Sequence, residues 1–232
     1  MQNGSLVAEY LYSANGDRIA APGITAAPVY DDQDRLLSYG NNTYSYTANG
    51  ELRTKTDTTT NAVTTYSYDG LGALRRVNLP DGRVVEYVID PTGRRVGKRI
   101  NGTLVKGWLY GGALTPVAEV DGSGAVVSRF VGAGYFTKGG NTYRIVRDHL
   151  GSPRLIVDAS TGAVAQRLDF DEYGKVTADS APGFQPFGFA GGLADADTGL
   201  VRFGARDYDP ETGRWTAKDG IGFRGGSVLA LT

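Results

Sequence analysis

Cysteine is absent from this 232-residue chain, and only one histidine and one methionine occur. No disulfide framework and no thiolate metal site can therefore exist, and no histidine cluster can hold a metal. That composition suits the cytosol, and equally a secreted bacterial protein held by extensive strand pairing. A basic excess is also missing: 24 Lys and Arg stand against 25 Asp and Glu. A surface for nucleic acid or an anionic membrane needs such an excess, so neither partner is expected. Long apolar runs are missing too. Val84-Val85 and Leu155-Ile156-Val157 fall far short of the roughly 20 residues a membrane helix needs. Met1-Gln2-Asn3-Gly4 has no basic stretch before an apolar core, so no signal peptide is expected in this chain. If the protein is exported, its address is expected elsewhere or in a larger parent.

What is plentiful is glycine, at 34, and tyrosine, at 14. Both belong to a repeat. Tyr12-Ser-Ala-Asn15-Gly16-Asp-Arg18-Ile19 sets the pattern, and Tyr30-Asp31-Asp32-Gln33-Asp34-Arg35 repeats it with Asp34 in the glycine place. Tyr46-Thr-Ala-Asn49-Gly50, Tyr68-Asp69-Gly70-Leu71-Gly72 and Ile89-Asp90-Pro91-Thr92-Gly93-Arg94 follow. Later copies start at Asp121, Asp158, Asp171 and Asp209. Gly50, Gly72 and Gly93 are spaced by 22 and then 21 residues. Each unit reads as a hairpin. Asp accepts backbone N–H bonds, Pro presets φ, and Gly, expected four positions on, supplies φ > 0.

Flanking residues alternate with period 2. Val85, Tyr87 and Ile89 share one face, and Val164, Leu168 and Phe170 share another, with Gln166 interrupting. Thr, Val and Tyr enrichment at this period means strands. The expectation is all-β: a long antiparallel hairpin meander of about 12 to 16 short strands. Such a meander must curl, stack or continue into more repeats to hide its edges. Thr56 to Asn61 reads as a hairpin loop, and Gly132 to Gly140 as a looser connection. Ala181 to Leu193 is ambiguous between helix and coil, with too much Gly and Pro for a helix.

Several residues invite a functional reading. His149 could be a base, but no nucleophile-elbow serine or cysteine accompanies it, so a hydrogen-bonding role in a turn is expected. Asp195-Ala196-Asp197-Thr198-Gly199 has part of a calcium-loop pattern without the remaining ligands, and reads as a turn. Arg75-Arg76, Arg94-Arg95 and Lys98-Arg99, interspersed with Asp, read as solvated strand faces. The tyrosines suit cross-strand packing, or else a groove for cell-surface carbohydrate. No cofactor is expected.

The repeat over most of Tyr10 to Val131 resembles the YD repeat of RHS proteins. The rest resembles the RHS repeat-associated core domain, through an ordered series of motifs. These are Asp148-His149-Leu150-Gly151-Ser152-Pro153-Arg154, Phe170-Asp171-Glu172-Tyr173-Gly174, Phe187-Gly188-Phe189-Ala190-Gly191 and Thr198-Gly199-Leu200. Ala205-Arg206-Asp207-Tyr208-Asp209-Pro210, Gly213-Arg214-Trp215 and Asp219-Gly220-Ile221-Gly222 complete it. The resemblance implies a curved or spiralling sheet forming part of a β-shell. It divides the chain into a YD-repeat meander at 1–140, a core module at 141–226 and a divergent tail at 227–232. It also implies a secreted or cell-surface parent toxin, whose shell encloses a C-terminal toxin effector and continues into upstream shell repeats. Members carry an aspartyl self-cleavage site, and its matching positions are Arg206 and Asp219. Two carboxylates sharing a proton would be needed. No Asp or Glu follows Asp219, so this chain is expected not to cut itself.

Overall fold

A computed structural model describes residues 8–112, 115–132 and 134–218. Among them are 22 strands and one short 3-10 turn at Phe189–Gly191. No helix of the described residues is long and apolar enough to cross a membrane. The chain forms two compact units, Met1–Tyr66 and Ser67–Thr232.

In the first unit β1 (Leu11–Tyr12) pairs with β2 (Arg18–Ala20). A meander follows through β3 (Val29–Tyr30), β4 (Leu36–Tyr39), β5 (Asn42–Tyr46), β6 (Leu52–Asp57) and β7 (Val63–Tyr68). Thr56 to Asn61 does contain the hairpin loop: the Asp57 carboxylate accepts the N–H of Thr59 and of Thr60.

The second unit carries the longer meander. Its strands are β8 (Leu74–Asn78), β9 (Val84–Ile89), β10 (Arg95–Ile100), β11 (Thr103–Tyr110), β12 (Pro116–Asp121) and β13 (Val126–Val131). The chain goes on through β14 (Tyr135–Lys138), β15 (Asn141–Arg147), β16 (Pro153–Asp158), β17 (Val164–Phe170) and β18 (Val176–Asp179). Each pairs antiparallel with the next. The two meanders together hold sixteen strands, the upper end of the expected number. Four short strands close the described chain: β19 (Leu193–Ala194), β20 (Val201–Phe203), β21 (Arg206–Asp209) and β22 (Arg214–Trp215).

The repeat turn has one recurring geometry. In the Asp90 turn, the Asp90 N–H donates to Arg94 O at 2.9 Å and the Gly93 N–H donates back to Asp90 O at 3.0 Å. Asp90 Oδ1 accepts the N–H of Thr92 at 2.9 Å and of Arg94 at 3.0 Å. Oδ2 takes the Arg94 Nε–H at 2.8 Å. The turns at Asp31, Asp69, Asp121, Asp148 and Asp171 use the same carboxylate pattern. Glycine stands three positions after the Asp in most of them, not four. The four-residue spacing belongs to a second class, at Asp158, Asp195 and Asp209.

Successive repeats are joined by the tyrosine. The Tyr46 hydroxyl donates to Leu36 O at 2.8 Å, with its ring 5.5 Å from the Arg35 guanidinium. Tyr110 does the same three repeats on, donating to Arg95 O at 2.9 Å with its ring 5.0 Å from Arg94. The tyrosine thus half-buries its ring, satisfies its hydroxyl and shields the Asp–Arg pair of the preceding turn.

One expectation changes, and one ambiguity is resolved. Gly132 to Gly140 contains the four-residue strand β14, in full register with β13 and β15. Its glycines mark only the two hairpin ends, while Phe136 at its centre is fully buried. Ala181 to Leu193 is non-helical apart from the 3-10 turn, in which Ala190 has φ 48°.

The core of the second unit lies on one face of the meander. The register sets Phe130 opposite Phe136 and Phe136 opposite Tyr143, and Ile145 opposite Ile156. Trp108 belongs to the same cluster, and Phe187 and Leu193 cover it. Phe130 meets Phe187 edge to face, with centroids 4.9 Å apart.

Gly174 offers a direct test. It has φ 90°, and a Cβ there would lie 2.1 Å from the Phe189 ring. Gly124 has φ 88° with open space around it. Gly124→Ala should cost about 1–2 kcal/mol of backbone strain. Gly174→Ala should cost about 1–3 kcal/mol more from overpacking, read as urea-denaturation midpoints. Turn chemistry also sets the acid response. Hydrogen bonds hold several carboxyls below their usual range: the Arg35 side chain first at Asp31, the Ser123 hydroxyl first at Asp121 and the Ser160 hydroxyl first at Asp158. A depressed folded pKa stabilises above the unfolded value and ceases to do so as pH falls through the folded one. The urea midpoint should therefore stay flat from about pH 7 to 5 and drop below about pH 4.

Candidate functional site

The four-stranded sheet carries charges that belong in water and are not there. The register places Arg202 of β20 opposite Asp207 of β21. Arg202 Nη1–H donates to Asp207 Oδ2 at 2.7 Å, and Arg95 Nη2–H, from β10, donates to Oδ1 at 2.8 Å. The three side chains are between 0 and 2% exposed. Arg202 also donates to the carbonyls of Gly93 and Gly204, at 2.8 Å each. The Arg95 guanidinium lies 3.4 Å from the Tyr87 ring centroid. One carboxylate thus ties the β20–β21 hairpin to β10.

A second tie lies beside it. The Tyr87 hydroxyl donates to Asp195 Oδ2 at 2.8 Å, and Lys98 Nζ donates to Asp195 Oδ1 at 2.6 Å. Lys98 and Arg83 both reach Asp197. The electrostatics agree with the geometry. Burial pushes the Tyr87 hydroxyl well above its usual range, and the Asp195 charge adds to this, so the phenol stays a donor. At Asp197 burial acts upward but is outweighed by Lys98 and then Arg83, which hold the carboxyl low. Burial acts downward on Arg95 as the largest single influence, and its neighbours together, Asp207 foremost, more than offset it. At Arg202 burial prevails and lowers the value.

Aromatic contacts complete the attachment. The Phe189 ring lies on Gly174, and the Tyr173 ring on Gly213. The Tyr208 hydroxyl donates to Tyr173 O at 2.9 Å, and its ring stacks on Phe189 at 6.1 Å. Ser152, fully buried, accepts the Ala190 N–H at 2.9 Å through its hydroxyl. Four motifs far apart in sequence, at Asp148–Arg154, Phe170–Gly174, Phe187–Gly191 and Ala205–Pro210, therefore meet in one place.

The Teneurin YD-shell family matches residues 1–224. The chain belongs to this family. Zebrafish (Danio rerio) teneurin-3 is 30% identical over 232 residues, which is 94% of this chain and 8% of that protein. The double-stranded DNA deaminase toxin A of Burkholderia cenocepacia strain H111 is 29% identical, over 85% of this chain and 16% of the toxin. Among solved structures, TcdB2-TccC3 without its hypervariable C-terminal region superposes with a TM-score of 0.55 at 17% identity. That match covers 94% of this chain and 14% of that one. It shows the fold alone. This YD-shell segment spans a small fraction of the length of each of these relatives.

Of the two positions expected to carry chemistry, Arg206 opens β21 and stacks its guanidinium 4.3 Å from the Trp215 ring centroid. Asp219 lies outside the described residues. His149 is exposed at the tip of its turn. Asp195 and Asp197 engage Lys98 and Arg83, and among the described residues no His, Cys, Asp and Glu side chains group as a metal site. The reading of Arg94-Arg95 and Lys98-Arg99 as solvated faces fails for two of the four. Arg95 is 1% exposed and Lys98 7%, because the terminal strands cover that face of β10. Strand parity gave no signal for the two together: they are three positions apart, and the register shift between Arg95 and Gly97 sets Arg95 opposite Ile89 and Lys98 opposite Tyr87.

Asp207→Asn should cost about 3–5 kcal/mol, since it leaves two guanidinium groups buried without their anion. Tyr87→Phe should cost only about 1–2 kcal/mol, the loss of one buried hydrogen bond. Urea denaturation of the two variants beside the parent chain measures both.

Proposed function

We propose that this chain is a wall segment of a YD shell, and that residues 141–226 form the module that seals the shell near its C-terminal end. On this reading the parent protein is secreted or displayed at a cell surface, and the shell holds or presents an effector domain. The observation that carries it is the convergence of the four module motifs on the meander, fastened by the buried Asp207 between Arg95 and Arg202. Such a fastening fits a scaffold, which needs rigidity, better than a site that must admit and release a small substrate. One relative is named as a toxin and several solved neighbours are TcdB2-TccC3 complexes, which supports a toxin effector as partner.

We assign Arg206 a structural part, bracing Trp215, and expect Asp219 not to cut this chain. Mass spectrometry of the purified protein should read the intact 24.6 kDa. A fragment that disappears in Asp219→Asn would overturn this assignment. The shell itself is tested in the parent-length protein. Limited proteolysis should spare the segment downstream of the module, and Asp207→Asn should expose it. Digestion of that segment at an equal rate in both proteins would sink the encapsulation reading.

A further inference from the structure

Within the apolar cluster of the second unit runs a line of polar groups. Trp108 of β11 lies opposite Glu119 of β12, and Glu119 lies opposite Ser128 of β13. Directly opposed residues share a face, with Cβ atoms about 4.5–5.5 Å apart. All three are deeply buried, at 4, 2 and 1% exposure. Trp108 Nε1, Glu119 Oε1 and Ser128 Oγ each lack a hydrogen-bond partner. Lys106 Nζ lies 2.7 Å from Glu119 Oε1 and balances its charge, in a geometry that leaves the oxygen without an aligned hydrogen bond. The next residue in the row, Lys138, donates to Phe184 O.

Buried donors and acceptors are nearly always satisfied, by protein or by ordered water. The chemistry of this row selects the partner. The indole offers only a donor, the carboxylate only acceptors, and the serine hydroxyl either. A metal ion cannot accept from the indole N–H, and its one available carboxylate is already neutralised by Lys106. An anion would face the Glu119 charge. A small neutral molecule that both donates and accepts satisfies all three groups.

We propose that Trp108, Glu119 and Ser128 form an internal water site, in which bound water accepts from the indole, bonds the serine hydroxyl and donates to the carboxylate. Three such partners match the usual valence of a buried water. The site links β11, β12 and β13 through their side chains, under the cover of Phe184 and Phe187. It explains how a glutamate balanced by Lys106 is kept among Phe130, Phe136 and Trp108.

The chain has only two tryptophans, so the Trp108 indole proton is assigned in an NMR spectrum by comparison with Trp108→Phe. It should show a cross-peak to water with the sign pattern of long-lived bound water, and the peak should persist in Ser128→Ala, which removes relay through the hydroxyl. A high-resolution crystal structure should place water within about 2.7–3.2 Å of both Trp108 Nε1 and Glu119 Oε1. Absence of the cross-peak in both proteins would overturn the proposal. So would a crystal structure in which the indole bonds a protein acceptor directly, or in which the site holds an ion.

Discussion

A carboxylate with no access to water must be met by cations, and in this protein Asp207 is met by two. Arg202 comes from the neighbouring strand and is delivered by local register. Arg95 comes from β10, 112 residues earlier in the chain. The first contact would form in an isolated hairpin. The second forms only when the terminal sheet lies on the meander, and the pair is then desolvated as a unit. Removing the shared carboxylate leaves two buried cations without their anion, which is why such an arrangement discriminates strongly between the docked state and its alternatives.

The rest of the unit prepares for that docking. Each turn satisfies its own backbone through an aspartate carboxylate, so the hairpins need little help to form. A meander of such hairpins nevertheless leaves an apolar face open. In the second unit Phe187 and Leu193 close part of it, and the four short strands close the part over β9 and β10. Aromatic rings seat on glycines, at Gly174 and Gly213, because only there can a ring approach the backbone this closely. The core motifs are therefore the surfaces of one joint.

Legibility in the sequence followed the range of the interaction. The Asp turn, the loop at Thr56 to Asn61 and the alternation of Val85 and Tyr87 involve residues within a few positions of one another. Propensity and period were enough for these. The strand at Tyr135–Lys138 was hidden by glycines on both sides, which mark tight hairpin ends as readily as loose coil. Gln166 read as a break in an apolar face, yet it is buried. Its Nε2 donates to Asp179 Oδ1 and Ala181 O, partners whose approach depends on the bend after β18.

From the sequence alone came the strand class, the repeat, the turn chemistry and the family resemblance, because all of these are written in short spacings. Tertiary structure alone decided the fate of the charges. Arg95 and Lys98 look like any basic pair on a strand, and nothing within several residues of them indicates burial. Their environment is set by Asp195 and Asp207, about a hundred residues away, and the free energy of a charge depends on what surrounds it in space. The same holds for Trp108, Glu119 and Ser128. Their alignment is a matter of register across three strands, and their burial a matter of what packs above them.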